Sequence, residues 1–135
     1  MTTSNSQLTD REKPPMMAQK TVILVSQPGI THNTLAGVLS SFACIKVVSA
    51  AGALSTLALL PQVSPDSVVI DANLPHEETL ALLGYLKRLS AHIRCVVLTT
   101  TFKHHRALRS AGADVLLLDN CSASQLETAV CEAGA

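Results

Sequence analysis

Five short apolar runs punctuate the chain, each closed by polar or turn-forming residues and each followed by a stretch with helical spacing. They are Thr21–Val25 (TVILV), Ile45–Val48, Ser67–Ile70 running into Asp71, Ile93–Thr99 (IRCVVLT) and Val115–Leu118. Runs of this length without strict alternation suit strands buried on both faces, the habit of parallel sheets. Between them the spacing predicts helices. The first covers about 32–42, with Leu35, Val38 and Leu39 on its core face and Thr31 as a candidate cap. The second covers 51–60 and is ended by Pro61. The third covers 77–89, with Glu77 and Glu78 at its positive end and Lys87 and Arg88 at its negative end. A short basic helix over 103–110 stops at Gly112, and a last one runs from 123 to about 133 behind a Ser122–Gln125 capping box. Five β-α units in succession imply a parallel sheet covered by helices on both faces, with right-handed crossovers. Residues 1–20 are polar and show no period, which predicts a disordered leader before one domain over 21–135.

Composition narrows this picture. Apolar residues make up 47% of the 135 and aromatics only 2%, so the core is aliphatic and large enough to need neither metal nor disulfide. The formal net charge of +0 argues against DNA or anionic lipid as a partner of this stretch. No apolar run approaches the ~18 residues of a membrane span, and no signal pattern opens the chain, so a cytoplasmic protein is expected. Cys44, Cys95, Cys121 and Cys131 show no CxxC spacing and read as free thiols, Cys95 in the core. His104 and His105 point about 100° apart on a helix and lack a third ligand, so no metal is expected there.

Asp71 carries the chemical question. It falls at the carboxyl end of the third strand, where open α/β sheets place their ligands. Three segments around the chain resemble the receiver domain of two-component response regulators, most closely receivers that precede a LuxR-type helix-turn-helix. They are Val25 to Leu39, Asp71-Ala72-Asn73-Leu74-Pro75, and Gly112-Ala113-Asp114-Val115-Leu116-Leu117-Leu118. The resemblance runs from about 21 to 133 and implies a doubly wound, flavodoxin-like five-stranded parallel sheet of order 2-1-3-4-5 with helices on both faces.

The resemblance also implies roles and departures from them. Asp71 matches the phosphoacceptor and Thr99 the switch hydroxyl. Ser26 and Gln27 stand where the family has two Mg²⁺-binding acids, Asp119 where it has a lysine, Leu116 where it has an aromatic, and Thr79 where a glycine is usual. Mg²⁺ binding is therefore expected to be lost or weak, with no other cofactor. At an effective dielectric near 20 and a separation of ~5 Å, each unit of charge on a phosphorylated Asp71 would be repelled by Asp119 by about 3 kcal/mol. The expected function is that of an atypical, non-enzymatic receiver: a phosphorylation-independent dimerisation or docking module, the N-terminal part of a transcription regulator whose DNA contacts come from a C-terminal domain. Lys103, Arg106 and Arg109 form a candidate docking patch. A homodimer is expected, through the first and last helices or the face of the fourth helix, fifth strand and fifth helix. Two alternatives stay open: phosphorylation of Asp71 by a histidine kinase, and a pseudo-receiver that binds a small effector.

Overall fold

A computed structural model describes residues 19–131. Strands β1 (Lys20–Val25), β2 (Ile45–Ala50), β3 (Ser67–Ile70), β4 (Arg94–Thr99) and β5 (Val115–Leu118) alternate with helices α1 (Ile30–Ser40), α2 (Ala53–Leu59), α3 (His76–Leu89), α4 (His105–Ala111) and α5 (Ala123–Cys131). All the strand pairs are parallel and the order is β2-β1-β3-β4-β5, the doubly wound order expected. The leader expected over 1–20 lies outside the described residues apart from its last two positions, and Lys20 already belongs to β1.

Alternation along the buried strands divides the core in two. Ile23, Val25, Val68, Ile70, Cys95 and Val97 face α2, α3 and α4, packing on Leu82, Leu83, Leu86 and Leu108. Val22, Leu24, Val69, Val96 and Leu98 face α1 and α5, packing on Leu39, Phe42, Leu126 and Val130. The strands present Val and Ile on both faces because both are covered.

Helix ends differ from expectation at one place that matters for the site. Thr31 does not cap α1; Gly29 takes the N-cap position at φ 146, a backbone conformation that glycine adopts without strain. The Thr31 hydroxyl is thereby free to accept a hydrogen bond from Asn73 Nδ2 at 3.0 Å. The capping box of α5 forms as read: Gln125 N–H donates to Ser122 Oγ at 3.1 Å, and Ser122 N–H donates to Gln125 Oε1 at 2.9 Å. At the end of α4, Gly112 sits at φ 129, and a Cβ there would meet Lys87 Cγ at 2.6 Å. That close approach lets Lys87 Nζ reach Asp114 Oδ2 at 2.6 Å and the Ile93 carbonyl at 2.7 Å. Asp114 Oδ2 also accepts the Cys95 N–H at 2.8 Å, tying α3, β4 and the start of β5 together.

The expectation of four free thiols is corrected. Cys44, in the turn between α1 and β2, and Cys131, at the end of α5, form a disulfide with Cα atoms 5.9 Å apart. Glu127 lies beside them, its carboxylate within 4.8 Å of both sulfurs, but bonded sulfurs are not thiolate ligands. Cys95 and Cys121 remain free. Burial pushes the Cys95 thiol from its ordinary 9.0 up to about 11, against a smaller opposing effect of Lys87. The folded state thus resists ionisation that the unfolded chain accepts. Below pH 9 the two states bind the same proton and nothing changes. As pH rises from 9 towards 11, stability falls, by up to ~3 kcal/mol from this group at about 1.4 kcal/mol per pKa unit. Urea melts at pH 8 and pH 11 should show a steeper loss in the wild type than in Cys95→Ala; equal losses would refute the assignment.

Candidate functional site

The site is built at the carboxyl edge of the sheet, where the loops after β1, β3, β4 and β5 meet. The Asp71 N–H donates to the Val25 carbonyl at 2.9 Å, continuing the β1–β3 ladder one residue past the strand and fixing where the carboxylate emerges. Asp71 is 8% exposed. Its Oδ2 accepts from the hydroxyl of fully buried Ser26 at 2.7 Å, and its Oδ1 accepts the Ala72 N–H at 2.6 Å. Both donors are neutral.

Asn73 latches the β3–α3 loop to the β1–α1 loop. Its Oδ1 accepts the Gln27 N–H at 3.1 Å, while Nδ2 donates to the Gln27 carbonyl at 3.3 Å and to Thr31. The Gln27 side chain itself belongs to an exposed residue. This role of the Asn73 side chain was not legible in the sequence.

Thr99 ends β4, and its hydroxyl is hydrogen-bonded to His105 Nε2 at 2.9 Å. His105 was not singled out for that contact; its place in the first turn of a helix directly after the β4 loop is the only signal. His104 instead stacks on His76, ring centroids 4.0 Å apart, so the adjacent histidines do diverge. Desolvation, helped by His76 and Lys103, holds the His104 pKa below its ordinary value. Asp119 follows β5, with its N–H donating to the Thr99 carbonyl at 2.8 Å. Leu116 is half-buried against the α2–α4 side of the core. Thr79 is buried in the first turn of α3, its hydroxyl donating to the Pro75 carbonyl at 3.2 Å. Lys103, Arg106 and Arg109 are all exposed, on α4 and the turn before it, beside exposed Phe102.

Two cavities flank Asp71. One of about 160 Å³ opens towards Thr99, Thr101, His76 and His104. The other, about 320 Å³, opens between α1 and α5 and is lined by Asp119, Cys121 and several apolar side chains. Cys121 therefore lies by the site; burial chiefly raises its thiol pKa, against a backbone hydrogen bond that lowers it, with a smaller push upward from Asp119.

Mg²⁺ takes about six oxygens in near-octahedral geometry and is held chiefly by carboxylates. Around Asp71 the donors bonded to its carboxylate are neutral, with the Ser26 hydroxyl already pointing its proton into it, and the second carboxylate of the larger cavity belongs to exposed Asp119. A neutral donor directed at the acceptor is the reverse of a metal cradle. These residues do not fit the ion.

With the geometry in hand, the comparison with known proteins gives the class. The sequence model of the response regulator receiver domain matches residues 22–131, and the chain belongs to that family. No curated protein matches it in sequence. Among solved structures it is similar to the CheY-like receiver domain protein of Methanospirillum hungatei JF-1, at 20% identity and TM-score 0.73, covering 85% of this chain and 93% of that one. The signal receiver domain of the response regulator NarL from Mycobacterium tuberculosis gives 16% identity and TM-score 0.76, covering 85% and 95%. The RcsB response regulator of Salmonella typhimurium gives 18% and 0.69, covering 83% of this chain and 57% of that one. At such identities the likeness establishes the fold. No helix among the described residues is long and apolar enough to cross a membrane.

Proposed function

We propose that this receiver domain signals by contact rather than by phosphorylation: an atypical pseudo-receiver that serves as a dimerisation and docking module within a transcription regulator of the LuxR type. One observation carries the reading. The Asp71 carboxylate is held by neutral hydrogen-bond donors, and no lysine or arginine lines either cavity beside it. A phosphoryl group there would bring about two further negative charges with nothing positive to receive them. The domain is not an enzyme on this account and works without Mg²⁺.

DNA is contacted only by a separate C-terminal domain, in keeping with the chain's zero net charge and with its covering 57% of the RcsB chain. The exposed Lys103, Arg106 and Arg109 suit an acidic partner surface. Exposed apolar side chains, the expected sign of self-association, fall at the start of α1 (Ile30) and before α4 (Phe102), and also on α2 and α3 (Leu54, Tyr85, Leu89). The reading places the protein in the cytoplasm, where thiol pools work against the Cys44–Cys131 bridge.

Sedimentation with and without acetyl phosphate and Mg²⁺ tests the proposal. A dimer population that stays the same, together with an unchanged intact mass, is the expected result. A shift in association, or an Asp71-dependent gain of one phosphoryl group, would return the protein to the histidine-kinase pathway.

A further inference from the structure

The larger of the two cavities beside Asp71 opens between α1 and α5, on one of the two faces expected for self-association. Its volume of about 320 Å³ lies at the lower end of the range for small-molecule sites. Leu35, Val38 and Leu126 form apolar walls, and Ile30 lies at the rim with 83% of its surface exposed. The charged side chains that line it are Asp71 and Asp119, with no lysine, arginine or histidine among the lining residues.

We propose that this cavity binds a small organic cation, a primary amine with an alkyl or aryl body. The ammonium head lies between Asp71 and Asp119, and the body lies along Leu35, Val38 and Leu126 beneath Ile30. Three features of the chemistry select that class. Two carboxylate residues line one apolar space, and the lining residues supply no positive charge of their own. Each Asp71 oxygen accepts one hydrogen bond from within the protein, leaving acceptor capacity for the three N–H donors of an ammonium. The apolar walls reward a hydrocarbon body, which a bare metal ion lacks, and an anionic ligand meets two like charges. Every lining residue belongs to one copy, so the proposal does not rest on the contact reading.

The test uses n-hexylamine, 1-hexanol, hexanoate and MgCl₂ as probes of the oxidised protein, followed by thermal shift and by amide chemical shifts. Hexylamine should raise the melting temperature in a saturable way and move amides on α1 and α5. Hexanol should bind about tenfold or more weakly, as expected for loss of charge-assisted hydrogen bonds, and hexanoate and Mg²⁺ should have no effect at these amides. Exposed Asp119→Asn should fold normally and cost the amine about tenfold in affinity while leaving hexanol unchanged. Equal binding of hexylamine and hexanol, an unaltered amine affinity in Asp119→Asn, or no saturable response to the amine would each overturn the proposal. The sedimentation result, taken without amine, is independent of all three.

Discussion

Reducing the Cys44–Cys131 bridge is expected to destabilise the domain by about 3 kcal/mol, a fall of roughly 10 °C in melting temperature. The two cysteines are 87 residues apart, so the bridge closes most of the folded chain into one loop. In the chain-entropy model a loop of that size is worth about 4–5 kcal/mol at 25 °C, and measured values commonly reach ~2–4. The native side adds little to the loss: Leu126, Ala129 and Val130 already bury the inner face of α5 against the sheet and hold the helix in place without the bond. The effect should therefore act through the unfolded state, which becomes less compact on reduction and gives a larger denaturant slope. Urea melts of oxidised and reduced protein read both quantities. Cys44→Ser should coincide with the reduced wild type and be blind to reductant. Superimposable melts, or four titratable thiols in the denatured, unreduced protein instead of two, would refute it.

What the sequence disclosed and what it withheld follow from the range of the interactions concerned. Strands such as Ser67–Ile70 and the β-α alternation are local patterns, so the sheet and the place of Asp71 at its edge were readable from hydrophobic period alone. The strand order came from resemblance rather than period. Contacts between segments distant in sequence left no such trace. Nothing near Cys44 announces Cys131, and composition argued for thiols because it argues from compartment and not from proximity. Ser26 was legible as a missing acid, but its hydroxyl pointing into Asp71 is a matter of rotamer and burial that no spacing encodes. The latch made by Asn73 left no trace for the same reason. Its side chain joins two loops 46 residues apart through the Gln27 backbone, and adds a bond to the Thr31 hydroxyl that Gly29 leaves free of capping. The apolar exposure on α2 and α3 was also missed, since Leu54, Tyr85 and Leu89 fit a helical period whether or not a neighbour covers them.

Restoring charge to the pocket is expected to restore its chemistry. The triple variant Ser26→Asp, Gln27→Asp, Asp119→Lys should take a phosphoryl group from acetyl phosphate at least about tenfold more readily than the wild type, the gain vanishing when Asp71→Asn is added. The Asp119 change turns repulsion of the incoming phosphoryl charge into attraction. Asp119 is exposed, so solvent screens part of that reversal, and the single variant should gain less than the triple. The Ser26 change acts where screening is weakest. Ser26 is fully buried, and replacing its hydroxyl proton by a second carboxylate beside Asp71 removes a hydrogen bond and adds a like charge. Without metal the variant should melt below the wild type for that reason. With three carboxylates converging, Mg²⁺ now has a donor set it prefers, and ~10 mM of the ion against a dissociation constant of ~1 mM would return about 1.4 kcal/mol. The wild-type melting temperature should ignore Mg²⁺ over the same range. The two readouts separate the causes: a metal-dependent melt without labelling would mean that the acids were restored but the geometry for transfer was not. A wild type that already labels as well as the triple variant would mean that the neutral hydroxyl and the reversed charge never closed the pocket to phosphate.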